Sequence, residues 1–157
     1  MTGRERARLA FAHREPDRVP LFELSIDNPT ASYVLGREAW CGFGGYVRGV
    51  LQNRAMREGW YEAYHRRRIA DEIALWRALD LDVYPNAAPV PRHPSVPEQV
   101  EENRWRFDDP ATGLWTECVY APESDMYDQV DSSLRREGLP ALARLTEALE
   151  ASEPSVD

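Results

Sequence analysis

Acidic, imidazole and thiol side chains are the groups here whose spacing bears on chemistry, and the nearest approach to a motif is Asp125, Asp128 and Asp131 at intervals of three. That spacing raises a cation site. It does not match the Asp-x-Asp-x-Asp-Gly loop of an EF-hand, so a solvated acidic turn or a helix-capping cluster is the simpler expectation. His13, His65 and His93 stand apart from Cys41 and Cys118, so no zinc site at the usual ligand spacing is encoded. The two cysteines read as buried or half-buried thiols rather than a disulfide framework. Gly42-Phe43-Gly44-Gly45 lacks the spacing of a nucleotide-binding glycine fingerprint, and no Gly-x-Ser-x-Gly elbow occurs.

All 19 basic residues are arginine. Without a lysine amine there is no Schiff base and no Walker loop, which excludes pyridoxal, lysine-type aldolase and P-loop chemistry for these residues. Arginine suits carboxylate recognition through its planar fork, although a genomic composition bias accounts for the pattern more simply. A net charge of −8 disfavours a polyanion partner, and Arg66-Arg67-Arg68 reads as a solvated helix face, so no nucleic acid is expected. No apolar run is long enough to span a bilayer, and residues 1–13 lack the apolar core of a signal peptide. A cytoplasmic chain without a membrane partner is expected.

Periodicity supplies the elements that must position any site. Thr2 and Glu5 fit a capping box for a first helix ending near His13. Pro16 and Pro20 force an extended path into residues 19–26, which read as a first strand. Asn28-Pro29 supplies an N-cap and a proline for a short helix that Gly36 closes, and residues 38–56 form a second helical stretch weakened by four glycines. Residues 60–79 carry Ile69, Ile73, Trp76 and Leu79 on one face, which predicts a long helix packed on a sheet. Residues 81–84 follow as a second strand. Five prolines within residues 85–97 rule out regular helix there. Residues 104–107 and 114–120 flank the turn chemistry of residues 108–113 and predict a β-hairpin. Pro140 with Leu142, Leu145 and Leu149 marks a helix over residues 139–150. One domain over residues 1–151 and a polar tail over 152–157 are expected.

The stretch His13-Arg14-Glu15-Pro16-Asp17-Arg18-Val19-Pro20, behind an arginine-rich helix, resembles the opening of the uroporphyrinogen decarboxylase superfamily. Leu81-Asp82-Val83-Tyr84-Pro85, Arg104-Trp105-Arg106 and Asp109-Pro110-Ala111-Thr112-Gly113-Leu114-Trp115 extend the resemblance. It implies an α/β fold: the N-terminal portion of a (β/α)8 TIM-type barrel with an inserted β-hairpin, incomplete as a barrel. Barrel enzymes place chemistry at the C-terminal ends of their strands. On that topology Glu23 and Asp27 are the candidate catalytic residues, and Tyr84 and Asn86 the candidate substrate-binding residues.

Decarboxylases of this superfamily carry an arginine-glutamine-alanine-glycine-arginine stretch after the first strand, where this chain has Ser25-Ile26-Asp27-Asn28-Pro29. Asn86 stands where an aspartate is wanted, and an amide supplies no charge to a developing cationic pyrrole. The resemblance is therefore closer to the corrinoid- and cobalamin-dependent methyltransferases, whose thiol-methylating members bind zinc through a His-x-Cys spacing in the later half of the barrel. A complete barrel takes about 200 residues at the least. The expectation is a truncated or split relative, inactive alone, that requires a complementary barrel half, a corrinoid protein or self-association. Corrinoid is the implied cofactor, and no cofactor or metal is expected on this chain alone. The alternative is a non-catalytic binding or scaffold module serving the same partners. A third reading is a free-standing enzyme with Glu23 and Asp27 as acid and base.

Overall fold

The computed structural model describes residues 1–83 and 95–151. The chain begins with α1 (Gly3–Phe11), whose capping box is present: the Glu5 N–H donates to Thr2 Oγ1 at 3.3 Å and the Thr2 N–H to Glu5 Oε2 at 2.7 Å. The stretch after α1 does not continue as a regular strand. A single parallel bridge joins Phe22 to Val83, and a second joins Asp27 to Phe43. Pro20 has no N–H to give a ladder. The Leu21 N–H goes instead to the Asp82 carboxylate at 2.9 Å, while the N–H groups of Asp82 and Val83 both donate to the Leu21 carbonyl. Side chains thus occupy the positions that a longer ladder would use, and the expected strand over residues 19–26 shrinks to bridges.

The Phe22–Val83 bridge is held by charge. Arg6 donates to Asp17 at 2.6 Å and to Asp82 at 2.8 Å, and Arg18 reaches Asp82 at 3.1 Å and Asp80 at 2.9 Å. The Asp82 side chain is 3% exposed and receives donors on both oxygens. Its pKa is lowered, first by the Leu21 N–H, then by Arg6 and the charge of Arg18, against an opposing push from burial. Gly3 is pressed against the Asp82 backbone, where an added Cβ would lie 2.8 Å from the carbonyl oxygen. The start of α1, the residues before the first bridge and the residues that follow the long helix are therefore one clamp.

Two helical clusters form the core of this half. The helix α2 (Asn28–Leu35) is capped by the Asp27 carboxylate, which accepts the Thr30 N–H at 2.6 Å, so Asp27 and not Asn28 is the N-cap. Asn28 instead donates its side-chain amide to the Ala39 and Cys41 carbonyls. Gly36 ends the helix in the left-handed region. The expected helix over residues 38–56 starts only at Tyr46, after Gly42 takes φ +88° to carry the chain into the Phe43 bridge. It opens as a π-helical segment (Tyr46–Leu51) and continues as α3 (Gln52–Arg57).

The long helix α4 (Tyr61–Ala78) packs against α2 and α3 rather than on a sheet. Its buried residues are Tyr64, Asp71, Glu72, Leu75 and Trp76, whereas Ile73 is 41% exposed. The reason is Asp71, 1% exposed, which accepts from Arg37 at 2.5 Å, Arg67 at 3.1 Å and the Trp40 N–H at 2.8 Å. Burial raises its pKa, but Arg37, the Trp40 N–H and Arg67 outweigh burial and leave it lowered. Ala31, Ala39, Cys41, Leu75 and Trp76 make one cluster, and Val47, Ala55 and Tyr64 the other.

The described remainder is dominated by an antiparallel sheet of β1 (Glu98–Glu101), β2 (Arg104–Asp109), β3 (Leu114–Ala121) and β4 (Met126–Ser132), in that order. The expected hairpin is β2–β3, running in register from Arg104 opposite Val119 to Asp109 opposite Leu114. Asp109 makes its turn, accepting from the Ala111 N–H and the Thr112 hydroxyl. Asp128 and Asp131 belong to β4 and only Asp125 to a turn, which corrects the reading of a single acidic turn or cap. Asp131 is buried because Arg136 meets it at 2.5 Å. The helices α5 (Ser133–Glu137), capped by Ser132, and α6 (Leu139–Ala151) close the described chain. The architecture is mixed α/β with an antiparallel sheet. The tail over residues 152–157 lies outside the described residues.

Candidate functional site

The helical half and the sheet meet through the π-helical segment, and a cleft of about 580 Å3 opens at that junction. Its walls come from three places: Asp27 and Pro29 at the start of α2, Phe43 to Gly45 with Arg48, and the turn at Ser124 and Asp125 with the first residues of β4, Met126 and Tyr127. Backbone contact fixes their spacing. The Phe43 N–H donates to the Ile26 carbonyl and the Asn28 N–H to the Phe43 carbonyl, each at 2.7 Å. The Gly45 N–H reaches the Asp125 carbonyl at 2.7 Å, and the Tyr46 N–H donates to Asp125 Oδ1 at 2.8 Å. A Cβ on Gly45 would lie 2.7 Å from the Asp125 carbonyl, so only glycine lets the two strands of chain come this close.

The side chains around the cleft combine an aromatic wall with charge of both signs. The Arg48 guanidinium lies 4.1 Å from the centre of the Phe43 ring, in stacking range. Asp27 and Asp125 supply carboxylates, and Met126 an exposed apolar edge. Tyr127 projects inward from the cleft wall, and its hydroxyl accepts from Asn53 Nδ2 at 2.7 Å. Burial pushes the Tyr127 phenol well above its ordinary range, so it stays protonated. Asp27 is shifted the other way: the Thr30 hydroxyl and N–H lower its pKa. A carboxylate so stabilised is a weak base. The arrangement suits holding a small polar molecule against an aromatic face better than moving a proton.

Of the residues singled out by topology, Asp27 lines the cleft and Glu23 does not. Glu23 turns its carboxylate back on its own backbone, accepting from the Leu24 N–H at 3.0 Å and the Ser25 N–H at 3.4 Å. Tyr84 and Asn86 lie outside the described residues. Among the other lining residues, Asp125 is marked in the sequence only by its spacing to Asp128 and Asp131 and Phe43 only by the glycines beside it, while Arg48 and Tyr127 carry no sequence signal for a shared site.

The zinc that the resemblance implies finds no fitting donor set among the described residues. Among the described residues no three His, Cys, Asp or Glu side chains converge. Cys41 is fully buried beneath α2 and α4, and burial pushes its thiol up to about 11. Burial also raises the Cys118 thiol. Neither is disposed to supply the thiolate that zinc needs.

Among the described residues no helix is long and apolar enough to cross a membrane. No family model, curated protein or solved structure matches this chain.

Proposed function

We propose that this chain is the opening βα portion of a uroporphyrinogen-decarboxylase-like barrel, on the side of the corrinoid-dependent methyltransferases, and that it contributes binding groups rather than a complete catalytic centre. Further βα units supply the chemistry. Cobalamin chemistry belongs to that assembly or to a corrinoid protein docked on it.

The observation that carries this reading is the clamp at the Phe22–Val83 bridge. Asp17 and Arg18 come from one stretch of the resemblance and Asp82 from another, 64 residues after Arg18, and they meet in one ion network. That network sets two chain segments side by side in parallel, the relation that adjacent barrel strands have. Around it Phe22 is 53% and Leu24 72% exposed, apolar surface that barrel strands ordinarily bury on both faces. The lowered pKa of Asp27 and the local engagement of the Glu23 carboxylate with the Leu24 and Ser25 N–H groups favour a binding role over an acid–base pair.

The test is methyl transfer to and from free cobalamin, followed by its absorbance change. It is run on the chain alone and with a polypeptide carrying the later barrel units and their His-x-Cys site. Turnover is expected only in the mixture, accompanied by slowed amide exchange over residues 19–26. Turnover by a monomeric preparation of this chain alone overturns the proposal. Complex formation and slowed exchange without turnover point to the scaffold role instead.

A further inference from the structure

We draw no further inference here: the strongest candidate, the apolar groove of about 330 Å3 between the β2–β3 hairpin and the helices α5 and α6, is lined by Phe107, Leu114, Trp115, Leu134 and Leu145, and nothing in the structure shows what covers it.

Discussion

Replacing Gly49 with alanine is expected to destabilise the protein, against the usual sign for a helix interior. Glycine costs about 1 kcal/mol relative to alanine there, so an unobstructed site would gain that amount. Gly49, however, faces the Tyr127 ring, and an added methyl would fall inside contact distance of its Cδ2, Cγ and Cε2 atoms. The ring has little room to retreat. Its hydroxyl is tied to Asn53 at 2.7 Å, and the Trp105 ring stands 5.8 Å away, centre to centre. Either the π-helical segment moves off the sheet or Tyr127 gives up Asn53, which is itself buried.

Overpacking of this kind costs roughly 1–3 kcal/mol, and a buried hydrogen-bonding group left without its partner costs about 1–3 kcal/mol more where that bond is lost. After the helix gain of about 1 kcal/mol, the net loss is about 0–2 kcal/mol with that bond kept and about 1–5 kcal/mol with it lost. For a chain of this length each kcal/mol shifts Tm by roughly 2–4 °C, so Gly49→Ala should lower it by up to roughly 8 °C with the bond kept and by roughly 2–20 °C with it lost. Thermal unfolding followed by circular dichroism measures the shift, and a double-mutant cycle with Tyr127→Ala isolates the contact. In the Tyr127→Ala background the added methyl should be harmless or favourable. A raised Tm for Gly49→Ala alone, or the same loss in both backgrounds, refutes the wedge.

Three further outcomes follow from the ion networks and the buried thiol. Asp82→Asn keeps the shape of the side chain but removes the charge facing Arg6 and Arg18, so the Leu21 and Val83 amides should exchange faster while those of α4 do not change; unaltered exchange would show that the clamp holds nothing. Acid should destabilise the fold, because Asp17 is held at about 2 by its hydrogen bond from Arg6, against an ordinary 3.8, and Asp71 and Asp82 are also lowered. Their contribution is complete above the ordinary carboxylate range and is lost as pH falls from about 4 towards about 2; urea midpoints that stay level across that window would contradict the linkage. Cys41 should resist iodoacetamide at pH 8 until urea unfolds the chain, since its thiol is fully buried and raised to about 11; rapid alkylation of the native protein would place Cys41 elsewhere.

Local chemistry was legible in the sequence where a few neighbouring residues decide the outcome. The Thr2–Glu5 box starts α1, Gly36 ends α2, and Asp109 with Gly113 turns the hairpin, each through contacts within five residues. What was hidden depends on partners far along the chain. The face that α4 buries is set by Asp71, whose two arginines and backbone donor make a charged residue stable inside, while Ile73 is left partly in water. An apolar stripe predicts a face that shares Trp76 but is turned towards Ile73, because it counts carbon and ignores pairing. In β4 the acidic residues concealed a strand for the same reason: Asp131 is buried only because Arg136 meets it.

The cleft was harder still, since its walls come together through backbone hydrogen bonds between residues about 80 positions apart, such as Gly45 and Asp125. Asp27 was found because it ends an apolar run, but its carboxylate is engaged as a helix cap. Arg18 and Asp17 belong to the most distinctive stretch of the chain, yet they bind Asp82, Asp80 and Arg6 and line no part of the cleft. A resemblance carried by residues that brace the frame bears on fold, and the same frame can support different chemistries. The discriminating experiment therefore acts on the exposed run around Phe22 and Leu24. If added βα units protect it from exchange, the frame is part of a barrel. If they leave it open to water, the clamp at Asp82 is the brace of some other fold.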